Sequence, residues 1–315
     1  MREELLAKLG GELAPPYPVR ARRRFYMARV SLLVWLVALW NKVPFRQSIC
    51  PFLIVLAAFH PTGYAAEEEQ DGQISFSLGL EYEYFYYSET DAFGYEVMNI
   101  TGGLPGIRGS VSQFSKVFWC LEGRYSSGDL AYDGQTQAGQ PLTMETENSI
   151  GELRFMIGPT LEQDEGKLAI YSGLVFRQWI NDSPPPGYKR DISQLYLPIG
   201  LQMVRPIGED ATFVGNLELD VLLSGTVSSS FSDLDPTFGD AENKQKAGTG
   251  IAFRASADFR FPLSDSVNMS IGPFLRYIYV AESETDTVDL GGVPAEVVEP
   301  ENETLEAGLA LSLVW

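Results

Sequence analysis

An apolar residue at every second position is the dominant pattern of this sequence from about residue 72 to its end. The stretch QISFSLGLEYEYFYY sets apolar and aromatic side chains on one side against polar ones that include Glu81 and Glu83. A period of two residues indicates a β-strand whose two faces have different surroundings. The final stretch, ETLEAGLALSLVW, repeats the pattern and ends on Trp315. Its apolar face is larger than a strand edge in water tolerates.

The alternation recurs in ten segments, which predicts about ten strands. The segments are 73–87, 107–114, 117–132, 149–161, 167–180, 193–203, 213–225, 251–261, 267–280 and 303–315. The segment 167–180 is the least regular, and we expect a β-bulge near Gln178 to account for its slip. This part of the chain has no long helical period and no apolar run of about 18 residues, the length that indicates a transmembrane helix.

The connections between the segments alternate in length. Short links are expected at 115–116, 163–166, 206–210 and 264–266, and long loops at 89–103, 133–146, 182–189, 230–246 and 282–302. Short turns at one end, long loops at the other and an even strand number are the plan of an outer-membrane barrel. The predicted fold class is therefore all-β, a transmembrane antiparallel up-and-down β-barrel with short periplasmic turns and long extracellular loops.

A closed barrel in lipid turns apolar side chains outward and polar ones inward, and its last strand pairs with its first. In these features the chain resembles bacterial outer-membrane β-barrel proteins of the ten-stranded omptin size class. The resemblance covers about residues 72–315, and the segments 128–143, 188–201 and 232–248 are similar to barrels of uncharacterised families. It implies an architecture and no particular activity.

The resemblance also implies partners. A terminal strand with alternate apolar residues and a final aromatic is the signal by which the barrel-assembly machinery recognises such proteins, although the final residue is more often Phe. Outer-membrane lipid and lipopolysaccharide would surround the barrel. The residues that match the insertion signal are Leu309, Leu311, Leu313 and Trp315.

Residues 1–66 have a different character and predict an N-terminal extension with a secretory signal, followed by a barrel domain at 67–315. Four arginines between Arg22 and Arg29 precede apolar runs at 30–40 and 49–59, and small residues follow before a polar start. This order is typical of a secretory signal, with cleavage expected after Ala65 or Ala66. A transmembrane helix is the alternative, but each run is shorter than the roughly 20 residues needed. Met1 and Met27 both stay open as the start.

Charge and composition exclude several function classes. The whole chain has 23 Lys and Arg against 42 Asp and Glu, and residues 67–315 have 14 against 39, a net charge of −25. Nucleic acid is not an expected partner, because phosphate binding requires Lys and Arg. The barrel region contains a single cysteine, Cys120, and no histidine, since His60 lies in the leader. It therefore lacks the histidine base of most hydrolases, and we expect no enzyme and no cofactor.

The polar faces of the predicted strands carry both signs of charge, which predicts a charge network in the lumen. Glu122 and Arg124 on one strand and Glu152 and Arg154 on the next suggest a cross-strand ladder. Because a ten-stranded barrel is narrow and wide aqueous channels need about 16 strands, we expect a structural plug of ion pairs, with a narrow porin-like pore as the alternative. The inward charges are Glu81, Glu83, Arg108, Glu122, Arg124, Glu152, Arg154, Arg177, Glu218, Asp220, Arg254, Asp258, Arg260, Arg276 and Glu306.

The remaining acids concentrate in the predicted long loops. Residues 282–303 contain eight Asp and Glu and no Lys or Arg, and four more acids lie between Asp233 and Glu242. A solvated acidic loop is the simple interpretation, and divalent-cation binding is the alternative, because hard cations take carboxylate oxygens. A hydrolase built on carboxylates alone, for example on Asp129, Asp133 and Glu147 at the outer rim, is a further alternative that nothing in the sequence singles out.

We predict that the processed protein begins near Ala66 or Glu67 and fractionates with the outer membrane. The physical reason is the apolar outer face, which requires lipid around it. Cell fractionation with N-terminal sequencing checks both statements. Recovery in the soluble periplasm after mild lysis would contradict the barrel.

Overall fold

The computed structural model describes residues 72–135, 139–163, 166–208 and 211–315. The leader, the expected signal and its cleavage sites lie outside the described residues. No helix among those residues is both long and apolar enough to cross a membrane. One short 3₁₀ helix occupies Phe231–Asp233.

Ten long antiparallel strands form the barrel wall, and three short strands lie in the connections. The wall strands are β1 (Ile74–Thr90), β2 (Glu96–Phe114), β3 (Val117–Gln135), β4 (Pro141–Gln163), β5 (Gly166–Asp182), β6 (Arg190–Ile207), β7 (Ala211–Ser229), β9 (Gly250–Ser264), β10 (Val267–Val280) and β13 (Glu301–Val314). The short strands are β8 (Ala241–Gln245), β11 (Asp286–Asp289) and β12 (Pro294–Val297).

Each wall strand pairs with its neighbours in chain order, and β13 pairs with both β10 and β1. The sheet therefore closes on itself and has no free edge. At the seam, Leu78 lies opposite Leu313, and the backbones of Phe76 and Trp315 exchange two hydrogen bonds of 2.7 and 3.0 Å. The predicted transmembrane up-and-down barrel of ten strands is confirmed.

The outer surface carries the apolar half of each alternating segment. Leu80 is 64% exposed and Leu309 is 59% exposed, and similar aliphatic and aromatic side chains continue around the wall. A continuous apolar exterior of this extent is unstable in water and suits the hydrocarbon core of a bilayer. Tyr84, at the side of the long connections, is half exposed, as expected for an aromatic girdle at the membrane interface.

Two of the expected long loops are largely strand. The segment 89–103 contains only a tight turn between β1 and β2, closed by the Asp91 carboxylate, which accepts the N–H groups of Phe93 and Tyr95 at 2.9 Å. Much of the segment 133–146 likewise belongs to β3 and β4, whose ladder extends to Gln135 and Pro141. At these ends the outward positions hold polar residues such as Asp129 and Glu145, and inward positions hold Met98 and Ile100, so the apolar-outward alternation of the membrane part disappears although the pairing continues.

The bulge expected near Gln178 is wrong. The β4–β5 ladder runs without a shift through Arg177, Gln178 and Trp179. The irregular alternation of this segment has another cause. The lumen becomes apolar at this height, so an inward position holds the apolar Trp179. An irregularity occurs instead between Leu195 and Tyr196, where β6 meets β7.

Deleting Leu313–Trp315 should leave an unfolded precursor that proteases degrade. The deletion removes pairing on both sides of β13, and unpaired backbone groups in lipid cost several kcal/mol each. Heat-modifiable mobility on gels and protein abundance in the membrane fraction are the measurements. Trp315→Phe is the matched control and should fold normally, because it keeps a terminal aromatic. Normal folding of the deletion variant would contradict the role of the final strand.

Candidate functional site

The charged residues expected in the lumen lie on the inner face of the wall. Glu81 and Glu83 on β1 point inward because the outward positions of that strand hold Leu80, Tyr82 and Tyr84. Thirteen of the fifteen expected charges are joined by ion pairs within 4 Å into one network. They are Glu81, Glu83, Arg108, Glu122, Arg124, Glu152, Arg154, Arg177, Glu218, Asp220, Arg254, Arg276 and Glu306.

Glu306 on β13 is the centre of one half of this network. Its carboxylate accepts hydrogen bonds from Arg124 at 2.6 Å and from Arg177 at 2.7 Å. Arg276 donates to it at 3.1 Å and to Glu83 at 3.0 Å. The Glu306 side chain has no exposed surface, so three guanidinium groups replace the water that an ionised carboxylate requires. Arg276 lies opposite Glu306 in the β10–β13 ladder, whereas Arg124 and Arg177 come from β3 and β5, so their contacts cross the lumen.

Glu152 on β4 and Glu218 on β7 hold the other half together. Arg254 binds both oxygens of Glu152, at 2.8 and 2.6 Å, and its Nε donates to Asp220 at 2.7 Å. Arg154 reaches Glu218 at 2.5 Å across the lumen. The fork of a guanidinium group suits such multiple carboxylate contacts. Arginine therefore serves here as a cross-link between strands that are not neighbours in the sheet.

The cross-strand ladder between β3 and β4 joins the two halves. Glu122 lies opposite Arg154, and Arg124 lies opposite Glu152. Arg154 donates to Glu122 at 2.7 Å, and the Nε of Arg124 lies 3.6 Å from Glu152.

The network is less tightly packed on the side of the short turns. Arg108 approaches Glu122 at 3.5 Å, and both side chains retain some exposure. Asp258 and Arg260 are half-buried on the same face of β9, farther toward the β9–β10 turn. Arg108 and Arg260 are the main positive charges acting on Asp258. Thus Asp258 and Arg260 lie next to the network of thirteen residues.

Apolar side chains fill the lumen on both sides of the charged layer. Toward the long connections, a cluster includes Phe85, Tyr87 and Trp179, with ring centroids 5.3 Å apart for Phe85–Trp179 and 4.7 Å for Tyr87–Trp179. Toward the short turns, another cluster includes Phe118 and Tyr171. The Tyr171 hydroxyl donates to Glu218 at 2.8 Å and so ties this cluster to the charges. The lumen is a packed core.

A separate buried ion cluster lies at the outer end of the barrel, and the sequence pattern did not indicate it. Arg190, at the start of β6, contacts Glu89 at 2.7 Å and also binds Glu299, which lies in the connection between β12 and β13. The Tyr87 hydroxyl donates to Glu89 at 2.8 Å and to Glu299 at 3.2 Å. Arg190 occupies a strand end, outside the membrane alternation, so periodicity carried no signal for it.

Several aspartates of the outer loops accept backbone N–H groups. Asp233 accepts the Lys189 N–H at 3.1 Å, Asp240 accepts the Ser232 N–H at 2.9 Å, and Asp286 accepts the Glu242 N–H at 2.9 Å. The N–H donors of Glu242 and Thr287 lower the pKa of Asp286. Across the part of the chain that the structure describes, no group of three or more Asp, Glu, Cys or His is arranged to hold a metal ion.

The carboxylates considered for a hydrolase lie on the outer surface of the wall. Asp129, Asp133 and Glu147 are exposed and point away from the lumen. Asp129 lies opposite Glu147 in the β3–β4 ladder, and Glu147 lies opposite Asp182 in the β4–β5 ladder. The arrangement is an exposed acidic patch on the outer wall.

Comparison with known proteins supports the fold and indicates no particular activity. No protein-family model and no curated protein sequence matches the chain. The outer membrane protease OmpT from Escherichia coli matches with a TM-score of 0.52 at 12% identity, over 78% of this chain and 98% of that chain. The attachment invasion locus protein Ail of Yersinia pestis matches at 11% identity, over 77% of this chain and 99% of that chain, with a TM-score of only 0.29. The chain thus has the fold of a bacterial outer-membrane β-barrel.

We predict that Arg154→Ala lowers the free energy of unfolding by about 3–5 kcal/mol, because it leaves Glu218 and Glu122 without a major partner in a buried site. Urea unfolding of the purified barrel in lipid vesicles is the measurement. The control is Lys116→Ala in the exposed β2–β3 turn, which should change the stability by less than about 0.5 kcal/mol.

The double variant Arg154→Met with Glu218→Leu should recover part of the loss, because it removes both members of a pair and replaces them with apolar groups. A double variant less stable than Arg154→Ala alone would contradict this explanation.

Proposed function

We propose that this chain is an outer-membrane β-barrel with a largely plugged, ion-paired lumen, and that it has a structural or binding role through its acidic extracellular end. The observation that carries the proposal is the network of thirteen charges that crosses the lumen between apolar layers. A solute would have to break several buried ion pairs to pass. The protein therefore acts at its surfaces and conducts little or nothing.

The proposed domain organisation is an extension with a secretory signal at 1–66 and the barrel at 67–315. The final strand supports a proposed contact with the barrel-assembly machinery, because Leu309, Leu311 and Leu313 are exposed on one face and Trp315 ends it. The apolar wall supports contact with lipid and lipopolysaccharide.

The proposal also holds that the chain is not an enzyme. It is supported by the lack of histidine after His60 in the sequence and by the exposed, outward positions of Asp129, Asp133 and Glu147. The similarity to a protease is a similarity of fold at 12% identity. Hydrolysis of lipid A or peptides by the purified barrel would contradict this part of the proposal.

Conduction distinguishes the plug from a narrow channel for small solutes or ions. The purified barrel, reconstituted in a planar bilayer, should show little or no current. Arg154→Ala and Glu122→Ala should each open a leak and lower thermal stability, because each breaks the 2.7 Å pair between these residues. Lys116→Ala, outside the lumen, should stay silent.

A channel would conduct without any substitution, and lumen substitutions would affect its ion selectivity more than its stability. Steady single-channel currents from the unmodified barrel, with lumen substitutions that alter ion selectivity more than stability, would overturn the plug. Silence from the parent and all variants would also contradict the predicted leak, and it would leave only the outer end as a place for function.

A further inference from the structure

The connection between β10 and β13 folds over the outer mouth of the barrel as an ordered cap. We call residues 281–300, which include the β11–β12 hairpin, the outer cap. The cap is bound to the β7–β9 connection: the Glu284 N–H donates to the Lys244 carbonyl at 2.9 Å, and the Asn243 side chain donates to the Val297 carbonyl at 2.9 Å. The Gly239 N–H donates to the Asp289 carbonyl at 2.7 Å.

The cap is also attached to the barrel wall at one buried point. Glu299 is 5% exposed and binds Arg190, which belongs to β6. The same guanidinium group contacts Glu89, and the Tyr87 hydroxyl donates to both carboxylates. Tyr87 and Glu89 belong to β1, which is five strands from β6 in the ring of ten. Arg190 and Glu299 therefore connect opposite sides of the mouth.

The charges at this point do not balance when every acid is ionised. The titratable groups that face Glu299 are Arg190 from β6, Tyr87 and Glu89 from β1, and Tyr188 from the β5–β6 connection. Tyr132 on β3 acts on Glu89 and Arg190. One guanidinium group thus serves two buried carboxylates, and full ionisation leaves an extra negative charge out of water, which is costly.

The other charged side chains of the cap add mainly repulsion. From Glu282 to Glu303 the chain has eight acids and no Lys or Arg. Lys246 contacts Glu284 at 2.5 Å, but both side chains are largely exposed, and exposed pairs contribute at most about 1 kcal/mol. Hydrogen bonds join the cap to the β7–β9 connection, and its attachment to β6 and β1 depends on the state of the buried cluster.

From this geometry we propose that Glu299 is a protonatable latch. With its carboxyl group protonated, the cluster is neutral and the cap is held over the outer mouth; with the carboxylate ionised, the cap is released. A neutral carboxyl group keeps its hydrogen bonds to Arg190 and Tyr87 without adding a second buried negative charge.

The direction of the pH dependence follows from the environment of Glu299. Burial raises the pKa of Glu299 to about 7, Arg190 opposes the rise, and the Glu89 charge adds to it. Because the docked state binds the proton more tightly than the released state, docking is strongest below pH 4.5, the ordinary pKa of the group, and weakens as the pH rises through about 7.

Release of the cap would uncover a small cavity lined by both polar and apolar side chains. Beneath Glu299 lies a cavity large enough for about one water molecule, lined by residues that include Gln194, Gln245, Asn302 and Thr304. Thr304 lines this cavity together with Glu299 and is 4% exposed, so we expect a probe to reach it only when the cap moves. The charged layer lies deeper, and the latch therefore operates whether or not the lumen conducts.

Thiol labelling of Thr304→Cys tests the latch, in a full chain whose Cys50 and Cys120 are replaced by Ser. The probe is a membrane-impermeant maleimide, applied to the purified barrel in lipid vesicles between pH 5.5 and 8.5. Rates are normalised to Thr287→Cys in the exposed part of β11, which corrects for thiol ionisation. The normalised rate should rise at least about tenfold, the effect of one pKa unit, with a midpoint near pH 7. A flat profile would overturn the proposal.

Variants separate the latch from general repulsion. Glu299→Gln mimics the protonated acid and should label slowly at every pH, whereas Glu296→Gln, an exposed acid on β12, should keep the parent profile. If Glu299→Gln keeps the pH dependence, or Glu296→Gln loses it, the latch is wrong. Should Glu299→Gln fail to fold, Glu89→Gln decides: the midpoint should move to lower pH, and an unchanged or higher midpoint would contradict the proposal.

Discussion

Closure of the sheet is the constraint on which the rest of this structure depends. In lipid a strand cannot leave its N–H and C=O groups unpaired, so the chain must return its last strand to its first. β13 does this by pairing with β1 and β10 along its length. Closure with ten strands then leaves a narrow interior, in which every inward side chain meets side chains from distant strands.

The narrow interior explains why the charges are linked as they are. Polar inner faces are expected of a membrane barrel, but here too little space remains for water to solvate them. Glu306, Glu152 and Glu218 each have more than one arginine within 4 Å. Arg254, for example, uses three guanidinium nitrogens to contact carboxylates. Apolar clusters on either side keep water away, which makes each broken pair costly. The ion pairs that close the lumen are thus the same contacts that stabilise the barrel.

Most of the barrel fold and of the lumen charges could be predicted from the sequence, because one face of each strand meets lipid. The alternation from Ile74 to Tyr86 and from Leu305 to Trp315 predicts strands, faces and the inward charges together. It fails where lipid no longer imposes it. Beyond the membrane the outward positions of β1 to β4 are polar, and the inward positions, like Trp179, belong to an apolar part of the lumen. The Arg190–Glu299 contact joins residues 109 positions apart across the mouth, and no local pattern records such a pairing.

Solid-state NMR of the barrel in lipid bilayers, with labelled arginine and glutamate, tests the ion-paired plug most directly. The account predicts through-space correlations between guanidinium nitrogens and carboxylate carbons for Arg177 with Glu306 and for Arg254 with Glu152, with little transfer of magnetisation from water. Arginines that lack carboxylate correlations and exchange rapidly with water would contradict it, because the lumen would then be a hydrated pore.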